Sequence, residues 1–417
     1  MKESDFRPKE QINPYLEYSG SPIILGNIKE AMGTGKLKFE GDGIELRLPS
    51  QEKIKVSKKH QFNRVEQTIN ELNGVIDHES PLYEDFKKEV LSKNNESTIN
   101  FISPLGVAVY YPEREDLVFY APSKWHKNAL ILRNSLLIRD PKQEISWHEQ
   151  REIFDSLVIG VAGASVGKNA FMRIIDTIRP NHIKIADPKT YKDSNSNRAE
   201  LAYWDIGVNK AVVAGKQVHR NDPFTNVSVY SEGLNNSNME DFVGGSEIKN
   251  EPPLNYLVEE TDDPIRKIES LKFARKHKIP FCMITDIGSG YQIDFRDFKK
   301  HPNLPLMYGV KDEEIFETQS NWQEDKRNVR LLVDFAFKLI GNNWKDVPEF
   351  RDFVLGKYNG VSKELPQLGV AANAGGSHLA VSIAKHALGA EIPERFFVNL
   401  ASRKINEEGN IFDVNNQ

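Results

Sequence analysis

From residue 157 onward the sequence alternates short apolar runs with amphipathic segments, and this alternation limits the fold more than any other feature. The apolar run at residues 157–162 leads into a predicted helix over residues 168–178 and a second strand over residues 183–186. Strands joined by helices pair in parallel, so the pattern predicts an α/β fold with a doubly wound, mostly parallel, Rossmann-like sheet. Its ligands should lie beyond the carboxyl ends of the strands. The series continues with a helix over 209–219, strands over 227–230 and 254–258, a helix over 264–276 and a strand over 280–284.

The sequence before about residue 122 mixes short apolar and polar runs and indicates a smaller α+β unit. Two strands are predicted at residues 107–111 and 117–121, paired across a turn at residues 112–115. We therefore predict a small α+β domain over residues 1–125 and a nucleotide-binding domain over residues 126–417. Near the end, residues 365–388 have Gly- and Ala-rich helical spacing that predicts a packing helix, with Leu379, Val381, Ile383 and Ala384 as its main apolar residues.

Charge and cysteine content narrow the class of protein. The 55 Lys and Arg residues against 60 Asp and Glu give a net charge of -5, which offers no electrostatic basis for nonspecific DNA binding. A single cysteine can form neither an internal disulfide nor a four-thiolate zinc site. The first residues are charged where a secretory signal needs an apolar core, and no run approaches the roughly 20 apolar residues of a membrane span. These features predict a cytoplasmic protein.

A glycine-rich turn follows the first predicted strand of the nucleotide domain. Gly163, Ser165 and Gly167 stand between that strand and the next helix, where a phosphate-binding turn belongs. The spacing from Gly163 to Gly167 is one residue shorter than that between the first and last glycines of GxGxxG. The alternative interpretation is that these glycines only allow a helix to pack closely on a strand.

A carboxylate, Asp187, ends the second predicted strand. An acid at this position can accept hydrogen bonds from ribose hydroxyls, because it lies about 20 residues past the glycine turn and beside the nucleotide crevice. Adenosine is the implied ligand. By itself, an aspartate at a strand end is as often a turn former.

Polar and cationic side chains then follow in the order of a known family. Asn195, Arg198 and Lys210 place an amide, a guanidinium and an ammonium where NAD enzymes have no need of phosphate-binding cations. The segment resembles the DxDxVxxSNLxR…GxxK pattern of ThiF, MoeB and ubiquitin-activating enzymes, through Asp187-x-Lys189-x-Tyr191-x-x-Ser194-Asn195-Ser196-Asn197-Arg198 and Gly207-x-x-Lys210. A solvated polar loop is the alternative. Likewise Thr261-Asp262-Asp263 resembles the strand-end TDN of that family, although Asp263 before Pro264 also suits a helix N-cap.

The resemblance covers roughly residues 130 to 400. Over this range the chain is similar to a bacterial ThiF-like subgroup with an extra amino-terminal domain. It implies ATP and Mg²⁺ as cofactors, with Asn195, Arg198 and Lys210 on the phosphates, Asp187 on the ribose and Asp262 on the metal. Lys189 departs from the family pattern, because it replaces the second acid of DxD. In relatives, an arginine at the place of Arg133 reaches the triphosphate of the neighbouring subunit, so the resemblance also implies a homodimer.

The chemistry implied by the resemblance is adenylation, in which a carboxylate of a small molecule or peptide attacks the α-phosphate while pyrophosphate leaves. Arg198, Lys210 and a Mg²⁺ on Asp262 would neutralise the developing charge. Cys282 lies in an apolar run typical of a buried strand, which argues against a thioester step. Three alternatives remain: a cyclodehydratase that forms an acyl-adenylate, including on a modified tRNA nucleoside; a nucleotide-sensing or partner-binding module without turnover; and, last, an NAD-dependent dehydrogenase.

Overall fold

The computed structural model describes residues 21–41, 43–76, 78–92, 105–138, 145, 147–325, 328–359 and 368–408. The chain forms two compact units, of which one contains Glu17–Asp155 with Lys216–Asn226, and the other contains Ser156–Gly215 and Val227–Gln417. The predicted domain boundary between residues 125 and 126 stays a prediction. Within the described residues, no helix is both long and apolar enough to cross a membrane.

The amino-terminal unit contains two sheets in which most strand pairs are antiparallel. With the strands numbered as at the end of this paragraph, the strand orders are β1-β6-β7-β5 and β2-β3-β4. The predicted pairing of residues 107–111 with 117–121 is confirmed, since β6 and β7 pair antiparallel with Tyr111 opposite Asp116. The elements are β1 (Ile23–Asn27), α1 (Ile28–Gly33), β2 (Leu37–Glu40), β3 (Gly43–Arg47), β4 (Lys53–Ser57), β5 (Gln61–Asn63), α2 (Val65–Val75), α3 (Pro81–Phe86), β6 (Val107–Tyr111), β7 (Asp116–Tyr120), α4 (Ser123–Ile138) and α5 (Trp147–Asp155).

From residue 156 on, strands and helices alternate as the sequence predicts. The helix predicted over residues 264–276 has the same bounds in the structure, and each predicted strand is present within three residues of its expected ends. The elements are β8 (Val158–Ala162), α6 (Gly167–Ile178), β9 (His182–Ala186), α7 (Lys210–Asn221), β10 (Asn226–Tyr230), α8 (Met239–Gly244), β11 (Tyr256–Glu259), α9 (Pro264–Lys276), β12 (Phe281–Ile287), β13 (Gly290–Arg296), α10 (Asp312–Glu324), α11 (Val329–Ile340), α12 (Pro348–Tyr358), α13 (Gly369–Ala387), β14 (Arg395–Asn399) and β15 (Lys404–Glu408).

The large sheet confirms the α/β prediction. Its order is β10-β9-β8-β11-β12-β13-β14-β15, and the pairs β9-β8, β8-β11 and β11-β12 are parallel. The chain order reverses between β8 and β11, which makes that crevice the topological switch point where α/β sheets bind ligands. Strands β13, β14 and β15 continue the sheet in antiparallel pairing and were not predicted.

Helix α13 packs closely on α6 and β12, as the Gly- and Ala-rich pattern predicts. A Cβ atom at Gly376 would lie 2.8 Å from the backbone nitrogen of Ala170 on α6, and one at Gly375 would lie 2.9 Å from Ile284 on β12. Leu379, Ile383 and Ala384 are buried. Val381, the fourth apolar residue of that pattern, is exposed over 37% of its surface.

Candidate functional site

The glycine turn lies at the switch point and touches the end of β11. Gly163 has φ +94°, and a Cβ there would lie 2.6 Å from the carbonyl carbon and oxygen of Glu260. A Cβ at Gly167 would lie 2.8 Å from Glu260 Cβ. These glycines therefore do allow close packing against the end of β11, and their phosphate-binding role stays a prediction. The same turn starts helix α6 at Gly167, where the Asn169 N–H donates to the Val166 carbonyl at 2.8 Å, and a helix N-terminus at this place suits a phosphate.

Asp187 joins the end of β9 to this turn. Its Oδ2 accepts the Ala164 N–H at 2.7 Å, and its Oδ1 accepts the Lys189 N–H at 2.8 Å. The residue is buried, with 5% of its surface exposed. Each oxygen keeps further lone-pair capacity, so the turn-forming role is present and the ribose role stays a prediction.

Tyr191 contacts both the glycine turn and the lysines of the site, a role that was not predicted from the sequence. Its hydroxyl donates a hydrogen bond to the Ala164 carbonyl at 2.6 Å. Its ring centroid lies 5.5 Å from Lys210 Nζ and 5.7 Å from Lys168 Nζ. The only available signal was its place in the Asp187-to-Arg198 motif.

Arg198 is tied to the glycine turn through its side chain. Its Nε donates to Ser165 Oγ at 3.2 Å, and its NH1 donates to Asn197 Oδ1 at 2.9 Å and to the Ser194 carbonyl at 3.3 Å. Two predicted site residues, Ser165 and Arg198, thus lie together at the start of α6. The predicted phosphate ligand Asn195 is buried and caps its own short helical turn, since its Oδ1 accepts the Lys192 N–H at 2.9 Å.

Lys210 starts helix α7 and is almost fully buried, with 6% of its surface exposed. Burial lowers the pKa of its ammonium, and so do the neighbouring cations Lys189 and Arg198, while Asp187 and Asp262 act in the opposite direction. The same five charged side chains therefore form one electrostatic neighbourhood. The structure brings these residues together at the carboxyl ends of β8, β9 and β11.

Asp262, the predicted magnesium ligand, is a solvent-facing carboxylate. Its Oδ2 lies 3.2 Å from Lys189 Nζ, and 73% of its side chain is exposed. The described residues contain no group of three His, Cys, Asp or Glu that could hold a metal ion. One open carboxylate still fits Mg²⁺, which is bound by one or two carboxylates plus substrate phosphates. The N-cap role of Asp263 is confirmed, since its Oδ1 accepts the Ile265 N–H at 2.9 Å.

Two further carboxyl groups lie beside the site and were not assigned from the sequence. Glu260 is buried beside the glycine turn, and its Oε1 accepts the Ile284 N–H at 2.6 Å. Burial raises the pKa of Glu260 well above its usual range. At the end of β12, burial raises the pKa of Asp286 to about 7, against the opposing effect of Arg198. A strand-end acid was the signal that could have found Asp286.

Two other predicted features lie outside this neighbourhood. Cys282 is fully buried in β12, and burial raises the pKa of its thiol, which confirms the prediction of a buried cysteine. Arg133 lies on helix α4 of the amino-terminal unit, and its side chain is outside the described part of the chain.

Comparison with known proteins gives distant relatives. No protein-family model matches the chain. The uncharacterized protein MT1398 of Mycobacterium tuberculosis (strain CDC 1551 / Oshkosh) is 26% identical over 202 residues, which are 48% of this chain and 26% of that protein. The chain thus matches about a quarter of that relative's length.

Three solved structures are similar in fold at low identity. PaaA is 15% identical with a TM-score of 0.48, over 82% of this chain and 96% of PaaA. E. coli MccB with ATP is 12% identical with a TM-score of 0.43, over 62% and 66% of the two chains. E. coli tRNA N6-threonylcarbamoyladenosine dehydratase, TcdA, is 14% identical with a TM-score of 0.39, over 64% and 95%. In the loop motifs described above, the chain resembles the ThiF/MoeB-type adenylating enzymes.

Proposed function

We propose that this protein uses ATP and Mg²⁺ to adenylate a carboxylate on a small molecule or peptide. The observation that carries the proposal is the gathering of three cations, Lys189, Arg198 and Lys210, at the switch point of a parallel sheet. A triphosphate carries enough negative charge to need such a cluster, whereas a dinucleotide held by a helix N-terminus does not. The site therefore suits ATP better than NAD.

The reaction follows from this charge arrangement. A carboxylate oxygen of the acceptor forms a bond to the α-phosphorus, the bond to the leaving pyrophosphate breaks, and an acyl-adenylate results. Arg198 and Lys210 stabilise the negative charge that develops on the phosphate oxygens. No proton transfer is needed, because the acceptor carboxylate is already ionised at neutral pH.

The metal fits the same arrangement. Asp262 would hold Mg²⁺ against the phosphates, and the ion would supply positive charge at the leaving pyrophosphate. The thiol of Cys282 is shielded inside β12, so the proposed reaction forms no thioester on that cysteine. We also propose a homodimer in which Arg133 contributes to the site of the neighbouring subunit.

Two of the similar structures contain nucleotide or peptide. E. coli MccB was solved with ATP and with MccA, and E. coli TcdA was solved with AMP. We extend nucleotide binding to this chain because of its own cation cluster. A peptide carboxylate is one of the acceptor classes to be tested.

ATP–pyrophosphate exchange tests the proposal. The purified chain is incubated with ATP, Mg²⁺ and labelled pyrophosphate, first alone and then with panels of small carboxylic acids and peptides. Exchange that depends on an acceptor is expected. The variant Lys210→Met should lose on the order of 100-fold in exchange rate, the effect of one electrostatic donor. The matched control Lys299→Met, at an exposed lysine of the same unit, should keep the wild-type rate.

Absence of exchange with every acceptor, together with tight ATP binding, would point to a nucleotide-sensing module instead. Absence of ATP binding would overturn the proposal altogether.

A further inference from the structure

We propose that Asp286 selects the acceptor by binding a protonated amino group that the acceptor carries near its reacting carboxylate. This inference rests on the proposed adenylation, because it describes the acceptor side of that site. The ligand class is an amino acid or another small acid with a primary amine. Asp286 would act as a specificity-determining residue, with no part in bond making or breaking.

The first argument is the position of Asp286 in the sheet. It is the last residue but one of β12, opposite Tyr291 of β13. Asp187, the predicted ribose ligand, follows β9, three strands away across the switch point. With strands about 4.8 Å apart, β9 and β12 are separated by about 14 Å across the sheet. Adenosine on the β9 side and phosphates at the switch point therefore leave the β12 side for the acceptor.

The second argument is that no hydrogen-bond donor of the described chain contacts the carboxylate of Asp286. Both of its oxygens are shielded from solvent, and neither accepts a hydrogen bond from any residue that the structure describes. Other buried acids of this unit differ in this respect. Asp187 accepts two backbone N–H groups, and Asp205 accepts the Ala202 N–H at 2.9 Å. Within the described chain, Asp286 therefore has no hydrogen bond that would account for the shielding of its two oxygens.

The third argument concerns the charged and titratable groups around it. Arg198 is the cation that acts on Asp286, but its guanidinium donates to Ser165, Ser194 and Asn197. Glu260 carries a carboxyl group of the same sign, and its electrostatic interaction with Asp286 is unfavourable when both are ionised.

Tyr291 on β13 and His378 on α13 are paired with each other. The Tyr291 hydroxyl and His378 Nδ1 lie 3.2 Å apart and share a hydrogen bond. Neither of these two groups donates a hydrogen bond to Asp286.

The chemistry of the ligand follows from these contacts. A shielded carboxylate without a donor is costly in its ionised form, and a ligand that brings a hydrogen-bonded cation removes that cost. A phosphate or a second carboxylate would be repelled. A primary ammonium has three N–H donors on a point charge and can satisfy both oxygens of Asp286.

Matched pairs of acids test the inference in ATP–pyrophosphate exchange. The pairs are glycine with acetate, β-alanine with propionate, and γ-aminobutyrate with butyrate, so that each pair differs only in the amine. In the wild type, the amine-bearing acid of at least one pair should be favoured in kcat/KM by about 10- to 100-fold, the usual effect of a charged hydrogen bond. Asp286→Asn should abolish this preference and leave the KM for ATP unchanged.

The control variant is Asp263→Asn, which removes an exposed acid of the same unit outside the acceptor side. It should keep the preference of the wild type. Equal use of both members of every pair by the wild type would overturn the inference, and so would a preference that survives in Asp286→Asn.

A second measurement works even if none of these acids is adenylated. In protein labelled with ¹³C at the aspartate carboxyls, the Asp286 resonance is identified by its absence in Asp286→Asn and titrated by NMR. Its midpoint should be about 7 in the free protein. Methylammonium should lower the midpoint, because a bound cation favours the ionised carboxylate, and the neutral control acetamide should not.

The two failures are distinguishable. If exchange and ATP binding are absent while methylammonium still shifts the Asp286 midpoint, adenylation is wrong and amine binding stands. If the carboxyl titrates at the ordinary aspartate value, or does not respond to methylammonium, Asp286 is a solvated acid and the inference is overturned whatever the exchange assay shows.

Discussion

Replacing Gly163 with alanine should destabilise the sheet unit and disturb the nucleotide crevice. The residue has φ +94°, a region that L residues adopt at a cost of about 1–2 kcal/mol. The new Cβ would also lie 2.6 Å from the Glu260 carbonyl group and 2.9 Å from the Thr261 nitrogen. Both contacts are with backbone, which cannot rotate away as a side chain can. Overpacking of this kind costs about 1–3 kcal/mol, so the sum is about 2–5 kcal/mol.

Gly309 offers a matched control for this experiment. It lies in the same unit, has φ +70°, and has no heavy atom within 4 Å of the position of an added Cβ. Gly309→Ala should therefore cost only the backbone term, about 1–2 kcal/mol. The assay is urea-induced unfolding followed by circular dichroism, with the slopes compared to confirm that the variants unfold in the same manner. If Gly163→Ala loses no more free energy of unfolding than Gly309→Ala, the close approach to Glu260 does not constrain the turn.

Four further outcomes follow from the site. Asp262→Asn should keep part of the nucleotide affinity but abolish Mg²⁺-dependent exchange; full activity would refute its metal role. Arg198→Ala should lower kcat by on the order of 100-fold and ATP affinity by less; equal losses, measured by exchange and calorimetry, would indicate plain binding. Cys282→Ser should keep exchange activity with some loss of stability, and a thioester trapped on the wild type by mass spectrometry would contradict this. Mixing Arg133→Ala with Asp262→Asn chains should restore activity if Arg133 acts across a dimer; persistent inactivity after verified subunit exchange, or a monomer with ATP bound in sedimentation, would exclude it.

Local sequence patterns explain why many helices and strands of the large-sheet unit could be predicted. The bounds of α9 agree with the prediction because Asp263 caps the helix and Pro264 occupies its first position, and both effects are local. Strands β8 and β9 are buried on both faces, and β8 is an apolar run, which is the pattern of parallel strands covered by helices. The fold class could therefore be predicted without a relative.

Long-range pairings explain what was missed. Strand β13 pairs with β14, about 100 residues later, and no local pattern shows where a strand will find such a partner. The donor-free environment of Asp286 likewise depends on β12, β13 and the loop at Arg198, which are far apart in sequence. Burial of Asp187 against the Ala164 amide was missed for the same reason, since it depends on how closely the glycine turn approaches β9.

Lys189, which replaces the second acid of the DxD pattern, forms an ion pair with the predicted metal ligand Asp262. This ion pair is compatible with a metal site. A lysine at this position places a cation beside the predicted metal ligand, 3.2 Å from its oxygen, which at first suggests that the metal is excluded. Both side chains are largely exposed, with 62% and 73% of their surfaces accessible, and exposed pairs contribute only about 0–1 kcal/mol. Nucleotide with Mg²⁺ can displace so weak a partner at little cost. In the proposed mechanism, the released Lys189 ammonium then adds its charge to those of Arg198 and Lys210. The substitution is thus compatible with the proposed role of Asp262 as the metal ligand.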